Sequence, residues 1–249
     1  MRALITNDDG IDSIGLHTLA RVAVQAGLDV TVVAPDTERS GSSAALSAVE
    51  KDGRLLLTRS NLPDLREATA YAAHASPALI VFVAVRGAFG DPPDIVLSGI
   101  NRGPNVGQAV MHSGTVGAAL TAQSQGLPGL ALSFAAANSP NWESAAEMAH
   151  RALDMFLPLA TSPIVLNVNV PDVPRTQLRG LRVAELANFG AVQAKIGKRG
   201  HGYVVTTFEE IDTEPQPDTD VALLRKGWTT VTALDGPCTS QTHHNIKIT

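Results

Sequence analysis

Apolar and polar residues alternate in blocks along this chain, and the first blocks spell a βαβ unit. The run Ala3-Leu4-Ile5-Thr6 stops at Asn7-Asp8-Asp9-Gly10, a strand running into a turn. Residues 14–26 carry Leu16, Leu19, Ala20, Val22 and Ala23 at helical spacing, and Gly27 suits a helix C-terminus. DVTVVA (29–34) predicts a second strand, closed by Pro35-Asp36. Strand, helix and strand in quick succession imply a parallel pair. The alternation continues with an apolar run over 78–85 that suits a buried helix or a strand equally. A strand over 94–98 enters a Gly-rich loop at 99–107. A helix is expected over 115–125, a strand over 130–134, an amphipathic helix over 142–157 and a strand over 164–170.

After Pro171-Asp172-Val173-Pro174 the texture changes. Strand-like pieces at 203–208 and 229–233 are separated by polar, Gly- and Pro-rich stretches such as 213–217. The expected architecture is therefore α/β: a doubly wound, mostly parallel sheet over residues 1–175, then a β-hairpin arm and C-terminal tail over 176–249. An extended β arm has edges to protect, and pairing with another subunit protects them. A homo-oligomer is expected on that ground.

Composition narrows the partners. The chain has 249 residues, formal net charge −5 and 17% charged residues, without a run of Lys or Arg, so no nucleic-acid duplex is expected as a ligand. The single cysteine, Cys238, excludes an internal disulfide framework and a cysteine zinc site. The N-terminus meets Asn7-Asp8-Asp9 too early for a secretory leader. The longest apolar run falls far short of the ~20 residues that span a bilayer. A cytoplasmic protein with no membrane partner is the expectation.

In an open α/β sheet, ligands sit beyond the carboxyl ends of the strands. Three polar clusters fall there. Asp8 and Asp9 set two carboxylates side by side; they repel, and one protonates unless a cation sits between them. Oxygen donors of this kind favour Mg²⁺, Mn²⁺ or Ca²⁺ over zinc, although Asn-Asp-Asp-Gly is also good turn chemistry. Arg39-Ser40-Gly41-Ser42-Ser43 exposes hydroxyls and backbone N–H groups, as an anion-binding loop or an ordinary capping loop would. Ser98 to Gly107 holds Asn101 and Asn105 among glycines, and His112-Ser113-Gly114-Thr115 then opens a helix. Ser113 or Thr115 can cap that helix, whose first-turn N–H groups form an anion site. No Gly-Lys-Ser/Thr follows, so this is not a Walker A loop. His112 and Arg102 suit phosphate contacts or plain loop positions, and His243-His244 lies in a polar tail. A carboxylate pair, neutral oxygen donors and a helix N-terminus together make up the parts for metal-assisted phosphoryl transfer to water.

These clusters, in this order, resemble the SurE family of stationary-phase survival proteins. The matching text is TNDDGI (6–11), VVAPDTERSGSSAALS (32–47), PDIVLSGINRGPNVG (93–107) and HSGTVGAALTAQSQGLPGLALS (112–133), with a fainter echo in DTDVALLRKGWTTVTAL (218–234). The resemblance implies a Rossmann-like core and a β arm exchanged between subunits of a homodimer or homotetramer. It also implies a divalent-metal-dependent phosphatase for nucleoside 5′- or 3′-monophosphates, with one divalent cation (Mg, Mn or Ca) per subunit. Carried over by position, the metal ligands are Asp8, Asp9, Ser40 and Asn101. The phosphate site is Ser113, Gly114 and Thr115 with Ser40 and Asn101, and the catalytic set is Asp8, Asp9 and Asn101. Two departures stand out. Where the family commonly reads Gly-Thr-Pro-Ala-Asp-Cys, this chain reads Ala75-Ser76-Pro77-Ala78-Leu79-Ile80, and His112 stands where Tyr is common. Leu79 and the divergent arm leave open another small phosphomonoester as substrate; a module that binds nucleotide or sugar phosphate without hydrolysis is a further alternative, against which the intact Asp8, Asp9, Ser40 and Asn101 set argues.

Overall fold

Ala3, Leu4 and Ile5 are buried on both faces of the first strand, which is why the sequence there is continuously apolar rather than alternating. The structure is a computed structural model, and it describes residues 1–62, 65, 68–188, 192–201, 203–210 and 215–238. The elements of the N-terminal part are β1 (Arg2–Thr6), α1 (Ile14–Gln25), β2 (Asp29–Pro35), the short strands β3 (Glu50–Lys51), β4 (Arg54–Leu55) and β5 (Leu57–Arg59), and β6 (Thr69–Ala73). Then come α2 (Pro77–Ala84), β7 (Ile95–Arg102), α3 (Gly114–Ser124), β8 (Gly129–Ala135), α4 (Trp142–Phe156) and β9 (Val165–Pro171). The last part holds β10 (Leu181–Val183), β11 (Val192–Gly200), β12 (Tyr203–Glu210), α5 (Asp220–Arg225) and β13 (Thr229–Leu234).

Nine strands form one sheet in the order β10-β13-β9-β8-β7-β1-β2-β6-β5. The six strands from β6 to β9 are mutually parallel, while β5 and β13 run antiparallel to their neighbours β6 and β9. Helices cover both faces, giving the expected doubly wound, Rossmann-like α/β fold. Leu16 and Leu19 of α1 pack with Met148, Leu153 and Phe156 of α4 on one side. Ile80 and Val81 of α2 pack with Ala118 and Ala122 of α3 on the other. The chain goes from β1 to β2 in one direction and reaches β7 on the opposite side of β1. That reversal is the switch point at which such sheets open a crevice beyond their carboxyl ends.

The apolar run at 78–85 is a helix. Ser76 accepts from Leu79 N, and Pro77 in the first turn has no N–H to lose. Leu79 packs against the cluster of Leu4, Val33 and Ile80, so it belongs to helix–sheet packing.

The core sheet does not stop at residue 175, as the sequence division has it. Strand β13 pairs with β9 from Leu234↔Val165 to Thr230↔Asn169, and β10 pairs with β13. An apolar β9 with an open edge would expose its ladder, and a return strand from the C-terminal part covers it. What stands apart is narrower: β11 and β12 pair only with each other among the described residues, as a two-stranded ribbon. Tyr203, Val204 and Val205 on that ribbon are 61%, 54% and 43% exposed. The polar segment at 213–217 is described only from 215, and His243-His244 lies outside the described residues.

Candidate active site

The carboxyl end of β1 is held by a buried asparagine. Asn7 Oδ1 accepts from Gly10 N at 3.2 Å, and Asn7 Nδ2 donates to the Gly10 carbonyl and to Ser13 Oγ. Ser13 caps α1 by accepting from Leu16 N. With both ends of the turn pinned, Asp8 and Asp9 project beyond the strand. The backbone of Asp8 is fixed as well, its carbonyl accepting from Arg39 N at 2.7 Å.

Asp8 is buried and faces the first turn of α3. Thr115 Oγ1 donates to Asp8 Oδ1 at 2.5 Å, so the anion set against this helix N-terminus is the protein's own carboxylate. Burial nonetheless raises its pKa above the ordinary carboxylate value, against the Thr115 bond and the nearby N–H groups of Gly114 and Thr115. Asp9 is half-buried, and its Oδ2 accepts from Arg102 N at 3.1 Å, which ties β1 to the end of β7. Burial pushes Asp9 up to about 6; the charges of Asp8 and Glu38 push the same way, and the bond from Arg102 N opposes them.

The Asp9 shift has a consequence for stability. Between its unfolded value near 4 and about 6, the folded protein binds the proton more tightly than the unfolded chain does. The stabilising contribution of the protonated group is therefore complete below pH 4 and is lost as pH rises through about 6. Thermal unfolding of cation-free wild type and Asp9→Asn across pH 4 to 8 should show the wild type losing ground to the variant over that window. Parallel curves contradict the burial account.

Asn101 follows in β7, its Nδ2 donating to the Gly103 carbonyl at 2.8 Å. That bond fixes the amide plane and leaves Oδ1 without a donor among the described residues. The loop beyond it is captured at Asn105: its N donates to Asn169 Oδ1, its Nδ2 to Ser133 Oγ, and its carbonyl accepts from Asn167 and Asn169. The sequence reading missed these partners. The signal available was LNVNVP (166–171), where two asparagines interrupt an otherwise apolar strand two residues apart and so share a face.

Of the other expected residues, Ser113 is the cap of α3, accepting from Val116 N at 3.1 Å, and Thr115 is committed to Asp8. Gly114 lies close against the pair: a Cβ there would stand 2.5 Å from Ser42 Oγ and 2.8 Å from Asp8 Oδ2. Gly117 similarly admits the backbone of the serine loop, since a Cβ would meet the Ser43 carbonyl at 2.3 Å. Ser40 is exposed, and its hydroxyl donates to Glu38 at 2.6 Å. The structure thus brings together Asp8, Asp9, the end of β7, Thr115, Gly114 and Ser42, with Ser40 turned toward Glu38. Ser42 was not singled out from the sequence; its oxygen is buried without a partner, a state that costs about 1–3 kcal/mol when nothing fills it. His112 is exposed. Among the described residues no three His, Cys, Asp or Glu side chains gather as a metal cluster. A cation here would draw on two carboxylates and neutral oxygens.

The SurE family model, described as "Survival protein SurE", matches residues 3–191. The "5′-nucleotidase SurE" of Desulfitobacterium hafniense is 33% identical over 245 residues, covering 96% of this chain and 92% of that protein. The "5′-nucleotidase SurE" of Synechococcus elongatus is 36% identical, covering 98% and 96%. The crystal structure of the SurE protein from Aquifex aeolicus superposes with a TM-score of 0.83 at 26% identity, covering 98% of this chain and 97% of that one. A carboxylate pair at the switch point of a doubly wound sheet, similarity along nearly the whole length and the matching fold agree: this chain belongs to the SurE family.

Proposed function

We propose that this chain is a divalent-cation-dependent phosphomonoesterase that releases phosphate from nucleoside 5′- and 3′-monophosphates. Relatives that cover almost the whole chain carry the name 5′-nucleotidase, and that supports the substrate class. The observation that carries the chemistry is the Asp8–Asp9 pair, two adjacent carboxylates whose pKa values are both raised. Carboxylates held this way are poor company for each other and good company for a cation, and the donor set is hard oxygen throughout. In this reading Asp8, Asp9, Ser40 and Asn101 hold the ion. When bound, the ion neutralises phosphate charge and lowers the pKa of a water.

The chain's own groups do the positioning. Thr115 fixes the orientation of the Asp8 carboxylate, and Arg102 N that of Asp9. The first-turn N–H groups of α3 at Gly114 and Thr115 are the donors proposed for phosphate oxygens as charge spreads over them in the transition state, with Ser113, whose own N donates to the Val110 carbonyl, beside them. Water would bond to phosphorus as the ester P–O bond breaks, with one of the water's protons ending on the leaving oxygen and the other in the released hydrogen phosphate. Dialysis against EDTA should stop phosphate release, and Mn²⁺ or Mg²⁺ should restore it. Release at full rate in the chelator contradicts the cation dependence.

The β11–β12 ribbon is proposed to pair with another subunit in a homodimer or homotetramer, as an exchanged arm. Its exposed Tyr203, Val204 and Val205 support that reading, because such side chains on an isolated ribbon are poorly hydrated. Replacing 192–210 by a short Gly-Ser link spares β10, α5 and β13. By size-exclusion chromatography with light scattering the product should run as a monomer, whereas an unchanged oligomer contradicts the exchange.

A further inference from the structure

The connection from β7 to α3 is pinned from two directions. Asn105 is held inside the sheet by Ser133 of β8 and by Asn167 and Asn169 of β9. Gly107 opens a short 3-10 helix (Gly107–His112) that leads into Ser113, the cap of α3, and it is held from elsewhere in the chain. Its N donates to Asp220 Oδ2 at 2.7 Å. Asp220 begins α5, is fully buried and takes no part in the chemistry proposed above. Its other oxygen accepts from Ala187 N at 3.0 Å and from Val221 N at 2.8 Å.

Ala187 lies at the root of the β11–β12 ribbon. The chain leaves for the ribbon through 185–187 and returns through 216–220. These stretches are bonded to each other, Glu185 N donating to the Asp218 carbonyl and Asp220 N to the Glu185 carbonyl. Val106, Ala187 and Val221 close into a small apolar cluster at the same place, with Leu224 packed on it. Both Asp220 oxygens accept, as those of an ionised carboxylate do, although burial opposes that form and raises the pKa. An apolar side chain would fill the place at lower cost. What the carboxylate adds is the position of the groups it holds.

We propose that Asp220 is a positioning residue for phosphate release, setting where 107–113 delivers the first turn of α3 and tying that position to the root of the ribbon. The inference rests on the phosphatase reading of the site. Asp220 acts through Gly107 N and touches neither cation nor substrate. The Asp8 backbone and the Asp9 carboxylate are held by Arg39 N and Arg102 N, both upstream of Gly107, so loss of Asp220 leaves the cation affinity in place.

The test compares Asp220→Ala and Asp220→Asn with Leu224→Ala, a packing change on the same apolar cluster. Asn keeps the size of Asp220 but turns one of its two acceptors into a donor. Hydrolysis of p-nitrophenyl phosphate in Mn²⁺ is measured well below each melting transition, with hydrogen exchange read over 103–113. Both Asp220 variants should lose roughly tenfold or more in kcat, as misplaced reacting groups do, and exchange faster over 103–113. The Mn²⁺ concentration giving half the maximal thermal shift should stay unchanged. Leu224→Ala should melt earlier and keep its kcat. Wild-type kcat in a folded Asp220 variant overturns the proposal and leaves the phosphatase reading standing. So does an equal loss of kcat in Leu224→Ala, a shifted Mn²⁺ dependence that accounts for the loss, or failure of both Asp220 variants to fold, each of which makes the carboxylate a stability element. A wild type that releases no phosphate overturns the phosphatase reading itself; exchange over 103–113 that still responds to Asp220 in that protein leaves the positioning of the connection standing.

Discussion

Asp8→Asn is expected to abolish turnover without unfolding the protein. The expected loss in kcat is roughly 10³-fold or more, since the substitution removes a charge from the centre where phosphate charge must be neutralised. Stability should move the other way. Asp8 is buried with a raised pKa, so its ionised form is disfavoured by the fold at neutral pH. Asn keeps an oxygen for the Thr115 hydroxyl and carries no charge. Cation-free Asp8→Asn should therefore melt at or above the cation-free wild type, and Mn²⁺ should stabilise the wild type far more than the variant. Thermal melts with and without Mn²⁺, run beside a phosphate-release assay, check both halves. A variant that is inactive because it melts early would contradict the account, since Asp8 would then be a structural residue.

Gly99→Ala is expected to cause a large loss of stability. Gly99 sits in β7 with φ +131, a conformation that L side chains rarely adopt. A Cβ there would stand 2.2 Å from the Leu132 carbonyl oxygen of β8, which is backbone and cannot turn aside. Backbone strain and overpacking each cost roughly 1–3 kcal/mol, so a loss of about 4 kcal/mol is expected. For a chain of this length that corresponds to a fall in melting temperature of about 10 °C. Asn101 and Arg102 lie just beyond, and Arg102 N holds Asp9, so activity should fall before the protein melts. Differential scanning calorimetry and turnover at 25 °C separate the two effects. A melting temperature within a degree or two of wild type would mean that β7 and β8 have room to part.

What could be read from the sequence follows a physical division. The β1-α1-β2 unit was legible because its signals are local: an apolar run, five apolar residues at helical spacing, and turn residues on either side. Strand β6 (TAYAA) was not read, because alanine carries little strand preference and the segment is short. Thr229–Leu234 was recognisable as a strand, yet its partner is β9, some sixty residues away, and no local pattern announces such a pairing. That is why the sequence pattern alone places the end of the core near 175. At the site, Asp8 and Asp9 follow the end of β1, Asn101 lies in the last residues of β7 and the α3 first turn is opened by a capping serine, so local signals in the chain mark each of them. The serine loop offered Ser40, Ser42 and Ser43 on equal terms. Hydrogen bonding separates them: Ser40 donates to Glu38 and Ser43 to the Met111 carbonyl, while the Ser42 oxygen is buried without a partner. Whether 78–85 was helix or strand hung on one cap, Ser76, whose hydroxyl also donates to the Ala45 carbonyl and so ties α2 to the end of the serine loop.

The most direct test of the central claim is phosphate release from a panel of nucleoside 5′- and 3′-monophosphates, sugar phosphates and p-nitrophenyl phosphate, in Mn²⁺ and in EDTA. Release that requires Mn²⁺, is fastest on the nucleotides and disappears in Asp8→Asn is the predicted result. Release that ignores the chelator, or that survives in Asp8→Asn, would contradict the assignment of the Asp8–Asp9 pair as the centre of a cation-dependent nucleotidase.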